Sequence, residues 1–395
     1  MSNGEFEGES KDGCFGSGTD VHPVVRSPRD ASAGEDRKAA SVREMLFVEL
    51  LGGLGDALIS LQAIQALARS YPQARLTVVT FSPGGELLEG DPLIHEVVQV
   101  SKPDSTHPRR AREAVEEMLA WGSWDLMVSD TSYDDIDALI RNCGAPHTAT
   151  NLWRSPPPDE RVGERFLRIL LADGVIWPEA ISPPRLYLTP EERSLADERL
   201  AHLPRPLAFL LPDAGMEVKR WPEERWGALG RALGDRYGAN IVVPVGSDLE
   251  QASRVARLVG ERARVWQRGP LRQLAAALSC ANIVVGADTG PLRIAATLDV
   301  PTVMLFGPAW HGRFGQPPPH LNLQGYPECP QRIVSDFTQQ PCWYSGTCTL
   351  EDRPWRTCLE DISVEDVLAT AATFLDGRYK EEVVQEEVNV HGGAG

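Results

Sequence analysis

The run MLFVELL (45–51) is continuous, apolar and of strand length, and it breaks at Gly52, Gly53 and Gly55 into a tight turn. From Asp56 the segment ALISLQAIQALARSYP places apolar residues at helical spacing and stops at Pro72. The next run, RLTVVT (75–80), reads again as a strand. A strand, a glycine turn, a helix and a second strand make a unit that builds a parallel sheet with right-handed crossovers. More of the same follows in HEVVQV (95–100), a helix near 109–120, WDLMVSD (124–130) and a helix near 160–172. Beyond the Pro-rich stretches ISPPRLYLTP and LPRP a second series begins with LAFLL (207–211). NIVVPV (240–245), ARVW (263–266), NIVVGAD (282–288) and PTVMLF (301–306) continue it, with helices from Pro222, Leu249, Leu271 and Pro291 between and after them. SVEDVLATAATFL (363–375) reads as a closing helix. The expected fold is α/β, with two Rossmann-like doubly wound domains facing a cleft, and ligands at the carboxyl ends of the strands.

The expected boundaries are a disordered extension over 1–44 and a first Rossmann-like domain over 45–188. A second spans 189–362 and contains a Cys-rich segment at 329–358; the closing helix occupies 363–376 and a disordered tail 377–395. The two ends are rich in Gly, Ser, Asp and Glu and show no period. Basic residues number 39 and acidic residues 56, a net charge of −17, to which each end adds −3 and the body −11. Such a field repels phosphate backbones and anionic membranes, so no nucleic-acid partner is expected. The longest run without Asp, Glu, Lys or Arg, Gln273 to Ala287, falls short of the ~18–20 apolar residues of a spanning helix. The acidic start has no apolar leader pattern, so the expectation is a cytoplasmic protein.

Five places can carry chemistry. GGLGD (52–56) sets glycines and exposed amides at a helix start, where Asp56 stays ionised and can accept a proton from a hydroxyl; a plain helix cap is the competing reading. Lys219 and Arg220, in KRWPEERW, precede a helix with Pro in its first turn and suit a phosphate; a solvated pair beside a core Trp221 would look the same. Glu250, after VPVGSDL, stands where an acid often bonds ribose hydroxyls, or merely caps a helix. In GADTGPLRIAA, Asp288, Thr289 and Gly290 form a turn, Pro291 suits the first helical position, and the amides from Thr289 to Leu292 can hold a diphosphate. Cys329, Cys342, Cys348 and Cys358 lie within thirty residues, with gaps of twelve, five and nine, and four thiolates can close a shell around zinc or iron. His311 and Arg313 follow the last apolar run and suit either the cleft or an exposed loop. Trp121, Trp124, Trp153 and Trp177 read as core or interface anchors.

In this order, FVELLGGLGD, KRWPEERW, GADTGPLRIAATLDVPTVMLFGP and the late PCW…GTC…RTCLEDISVEDVL resemble the ADP-heptose heptosyltransferases of glycosyltransferase family 9. The likeness covers most of 45–375. It implies the two-domain glycosyltransferase-B architecture, an ADP-sugar donor held by the second domain, an acceptor at the first, and inversion without a catalytic divalent metal. Carried over, Asp56 is the general base, Lys219 neutralises donor phosphate, Glu250 lies near the ribose, and Asp288, Thr289, Gly290, Pro291 and Leu292 form the donor loop. Gly52, Gly53 and Gly55 stand on the acceptor side, where the family has Ser-Ser-Leu-Gly-Asp; Arg293 replaces a usual histidine. The cysteines resemble the four-cysteine iron finger of the subgroup that modifies serines of autotransporter adhesins. That implies a structural iron or zinc, a protein or saccharide acceptor, and room for an oligomer. A lipopolysaccharide core heptosyltransferase is the near alternative. A nucleotide-sugar epimerase or a non-catalytic sugar-nucleotide-binding protein are the alternatives of another class. A dehydrogenase is disfavoured because the first glycine turn lacks the G-x-G-x-x-G spacing.

Overall fold

The computed structural model describes residues 41–153, 160–334, 341–350 and 357–377. Most of the two ends expected to be disordered, 1–40 and 378–395, lies outside those residues. Strands β1 (Glu44–Glu49), β2 (Arg75–Phe81), β3 (Glu96–Val100), β4 (Leu126–Ser129) and β5 (His147–Ala149) form one sheet, in the order β3-β2-β1-β4-β5. A second sheet holds β6 (Leu207–Leu211), β7 (Asn240–Pro244), β8 (Ala263–Trp266), β9 (Ile283–Ala287), β10 (Thr302–Phe306) and β11 (Leu321–Gln324), in the order β11-β10-β9-β6-β7-β8. All paired strands run parallel. This is the two-sheet α/β class that the alternating pattern predicts. Short β5 and β11 lie outside that pattern, because HTA and LNLQ carry too few apolar residues to read as runs.

The helices are α1 (Leu54–Ser70), α2 (Arg110–Trp121), α3 (Ile136–Arg141), α4 (Val162–Ala172), α5 (Pro190–Leu200), α6 (Glu223–Tyr237), α7 (Gln251–Val259), α8 (Leu271–Ser279), α9 (Gly290–Thr297), α10 (His311–Phe314), α11 (Pro341–Ser345) and α12 (Val364–Leu375). Local chemistry sets several of their ends. Thr189 and Glu192 cap α5 reciprocally, and Ser363 and Asp366 do the same for α12. Gly238, at φ 66°, ends α6 in the left-handed conformation that favours glycine.

Helix α1 is apolar nearly all round, which predicts burial on more than one side. It packs against α4 of its own half and against α9 of the second half. One core cluster accordingly runs from Leu58, Leu61 and Ile64 through Phe166 to Leu292 and Ile294, without a break between the halves. Each such side chain contributes roughly 1.5–3 kcal/mol on burial. Two further clusters cover the outer faces of the sheets. Val42 is 1% exposed and β1 opens at Glu44, so the packed core takes in residues before Met45. The Pro-rich link is tied down by Gln65, which donates to Arg185 O and Asp91 Oδ2, both at 2.7 Å, and accepts from Arg185 N at 3.1 Å. No helix among the described residues is long and apolar enough to cross a membrane.

Candidate active site

In each sheet the strand order reverses beside the first strand, between β1 and β4 and between β6 and β9. Loops leaving neighbouring strands there diverge and open a crevice. The segments that leave these strands carry Asp56, Asp130, Lys219 and Asp288. A cleft of about 420 Å³ lies between the halves. Leu51, Gly52, Gly55, Asp56, Ile59 and Trp153 line it from one side, and Lys219, Asp288, Thr289, Gly290, Arg293 and Phe314 from the other.

Asp56 is the third residue of α1, since the helix begins two residues earlier than the pattern suggests. Its Oδ2 accepts from Gly53 N at 2.8 Å, so it caps the helix and borders the cleft at once. A Cβ on Gly52 would collide with that carboxylate, which accounts for glycine there. Gly290 is a second close approach: its Cβ would meet Leu54 Cγ at 2.7 Å, where the two halves touch.

Asp288 follows β9 directly. Its Oδ2 accepts from Lys219 Nζ at 2.8 Å and its Oδ1 from Arg293 Nη2 at 3.0 Å. Burial pushes this carboxyl up, but Lys219 and Arg293 together hold it below the usual carboxylate range. Arg293 Nη2 also donates to Phe314 O at 2.6 Å, and the side chain approaches Gly55. Thr289 precedes α9, and its buried Oγ1 has no partner among the described residues. Leu292 faces the core, so only its main chain can serve the turn, and Pro291 has no N–H to offer.

Beneath Asp56 lie two buried acids. Glu49 ends β1 and accepts from Thr80 Oγ1. Asp130 follows β4 and accepts from Ser60 Oγ at 2.6 Å and Thr131 Oγ1 at 3.0 Å. Desolvation raises both; Asp130 is pushed up to about 7, and Glu49 well above its ordinary value, with Asp130 adding to the rise. Asp56 raises each of them further by like-charge repulsion. Both interrupt the ends of apolar runs in MLFVELL and WDLMVSD, a signal that sequence reasoning passed over.

Several predicted residues stand elsewhere. Arg220 donates to Ala214 O at 3.0 Å and pairs with Asp213 at 3.4 Å, and it is not among the cleft-lining residues. Glu250 does not line the cleft either; its side chain is 87% exposed and lies 3.9 Å from Arg254. Gly53 sits just outside the lining, under Lys102. His311 packs edge-on against Trp310, and buried Arg313 donates to the carbonyls of Glu160 and Val334, so neither faces the cleft. Trp177 anchors the core against Tyr71, as expected. Trp121 does not, being 66% exposed at the end of α2. Trp153 lines the cleft and donates to Asp130 O at 2.8 Å, a placement its isolation in sequence hid.

Cys329, Cys342, Cys348 and Cys358 all border one small cavity behind the Lys219 turn, together with Val218, Pro308, Arg332 and Thr357. None is in a disulfide. Among the described residues no three His, Cys, Asp or Glu side chains are arranged to hold a metal ion. The four sulfurs therefore converge on one space without forming a coordination shell.

Residues 162–336 match the family model for glycosyltransferase family 9 (heptosyltransferase). Lipopolysaccharide heptosyltransferase 1 of Pseudomonas aeruginosa is 28% identical over 343 residues, covering 80% of this chain and 90% of that protein. The protein is a glycosyltransferase, similar over these residues to family 9. A shorter likeness, 35% over 112 residues, joins the enzyme to lipopolysaccharide heptosyltransferase 1 of Salmonella typhimurium, over 28% of this chain and 35% of that one. Its fold is that of a family 9 glycosyl transferase from Veillonella parvula, at TM-score 0.69 and 22% identity over 84% of this chain and 97% of that one. It also matches ADP-heptose LPS heptosyltransferase II of E. coli, at TM-score 0.62 and 18% identity over 85% and 99%. The iron-containing dodecameric glycosyltransferase TibC from enterotoxigenic E. coli shares the fold at TM-score 0.50 and 14% identity, over 87% and 77%. The enzyme is thus a two-sheet, glycosyltransferase-B-like transferase, as the sequence implies.

Proposed function

We infer that this glycosyltransferase moves heptose from ADP-heptose onto an acceptor hydroxyl with inversion at the anomeric carbon. One observation carries the reading: Asp56, from the first sheet, and the Asp288–Arg293 turn with Lys219, from the second, border the same cleft. Charge develops on the leaving diphosphate as the glycosidic bond breaks. Lys219, Arg293, the Thr289 hydroxyl and the amides that open α9 supply donors where that charge grows. Asp56 takes the acceptor proton from the opposite side, a role that typically contributes about 10²–10⁴-fold. Asp288, ionised and flanked by two cations, is suited to hold sugar hydroxyls while keeping Lys219 in place. Gly52 and Gly55 leave room for the acceptor, and Leu51, Ile59 and Trp153 give it an apolar wall.

The acceptor reading that the relatives favour is a saccharide of lipopolysaccharide type, and a cytoplasmic site of action fits it. A protein serine is the second reading, favoured by the four-thiol cavity and by the shared fold with iron-containing TibC. In either case Cys329, Cys342, Cys348 and Cys358 would hold one structural iron or zinc ion. The soft donor chemistry of the four thiols fits such an ion, which would draw them into the shell they do not form here and tie together a segment poor in apolar residues. The deciding experiment is ADP release from ADP-heptose with each acceptor class. Stereochemical inversion and dependence on Asp56 support the reading. Turnover that needs no acceptor, or binding without turnover, points to the epimerase or the binding protein.

A further inference from the structure

We propose that Arg332 and Thr357 are the hydrogen-bond donors that position and charge-balance the cysteine sulfurs of the metal site; the proposal rests on the metal reading above. Arginine offers five N–H donors in a rigid fork. Four are matched here by main-chain carbonyls: Nη1 donates to Tyr326 O at 2.7 Å and Pro327 O at 2.9 Å, and Nη2 to Gly307 O at 2.9 Å and Gly325 O at 2.8 Å. The fifth, on Nε, is buried and has no acceptor among the described residues, in a side chain only 8% exposed. Thr357 Oγ1, next to Cys358, is a second buried polar atom in the same condition. Both residues border the cavity that the four cysteines share.

Two unmatched donors around one cavity are costly, at roughly 1–3 kcal/mol each and more for a charged group. A neutral thiol is a weak acceptor, whereas a sulfur bound to a cation is a thiolate and accepts well. The cavity, about 20 Å³, has room for about one small occupant. Four thiolates around a divalent ion leave two surplus negative charges, and the Arg332 guanidinium offsets one. The four carbonyl bonds fix the guanidinium at the border of the cysteine cavity before an ion arrives. Gly307 and Gly325 follow β10 and β11, so the same clamp ties the site to the second sheet.

The test uses the full chain purified without oxygen and loaded with zinc, iron or cobalt alone. Metal content, affinity by chelator competition and the sulfur-to-metal charge-transfer band of the cobalt form are read for wild type, R332M, R332K, T357V and T357S. The expected result is about one ion per chain in wild type. Affinity falls about 10–100-fold in R332M and less in T357V, with the band moved in both. T357S restores the wild-type band, and R332K, which keeps the charge but loses the fork, falls between R332M and wild type. Wild-type affinity and an unmoved band in both R332M and T357V would overturn the proposal. If wild type itself takes up no ion, the metal reading has failed and this proposal with it. T357V leaves the carbonyl clamp intact, so the assignment stays testable if R332M does not fold.

Discussion

Asp130 and Asp288 hold equivalent places in the two halves. Each follows the fourth strand of its sheet, at the point where the strand order reverses, and each is buried. Desolvation pushes both carboxyls up, yet they end on opposite sides of the ordinary value. Asp288 has Lys219 and Arg293 within 3.0 Å and is held down. Asp130 has hydroxyl and main-chain donors in place of cations, so desolvation, with repulsion from Asp56, raises it to about 7. Burial alone does not set a carboxylate's charge; the nearest cation does. The consequence is a divided cleft. The second half gathers cations where a diphosphate leaves, and the first half surrounds the proposed base with acids and hydroxyls suited to an uncharged alcohol.

The largest expected effect breaks the acceptor side. Asp56→Asn should lower turnover about 100-fold or more while ADP affinity, measured by calorimetry, stays near wild type. A variant that turns over normally would remove Asp56 from the mechanism. On the donor side, Lys219→Met should cost roughly 10²-fold in kcat/KM and weaken ADP binding as well, because it removes phosphate charge and leaves Asp288 with one cation. Pairing it with Asp288→Asn in a double-mutant cycle should show strong coupling; additive losses would mean that the ion pair does not organise the site. A smaller loss, about tenfold in ADP affinity, is expected for Thr289→Val if the orphaned hydroxyl meets phosphate.

The smallest effect concerns stability against pH. Asp130 has a folded value near 7 against about 4 unfolded, so between those limits the unfolded chain binds fewer protons. Its contribution to stability is therefore present below pH 4 and lost as pH rises towards 7. Asp288 has the opposite sign, its contribution being present above pH 4 and lost as acid protonates it. Denaturant melts at pH 5 and 7.5 should show a smaller alkaline loss in Asp130→Asn than in wild type. An unchanged difference would assign the alkaline loss to Glu49, whose carboxyl is raised beside it.

Much of this was legible in the chain. The apolar runs of β1, β6, β9 and β10 marked the sheets because a buried strand needs no polar face. The glycine turn at 52–55 and the Asp-Thr-Gly-Pro turn marked the loops because backbone geometry there is local. Arg220 and Glu250 lie outside the cleft lining although the same local reasoning placed them at the donor, since whether a charged side chain faces a cleft or a neighbouring loop is not a local property. Trp153 and Asp130 were hidden because their importance arises from a contact between segments 23 residues apart. Arg332 carried no signal in an irregular stretch; its meaning comes from neighbouring carbonyls together with Gly307 O and cysteines brought in from farther along the chain.

The order of apolar runs, turns and periodic segments by itself determined two parallel sheets and the residues at their carboxyl ends, because strand and helix periods are written in neighbouring residues. Only the tertiary structure decided that Asp56 and the Lys219–Asp288–Arg293 group border one cleft and that the four cysteines share one cavity. Those juxtapositions depend on α1 being buried between the halves, and packing across such distances is a sum over many weak contacts that no short stretch of sequence records.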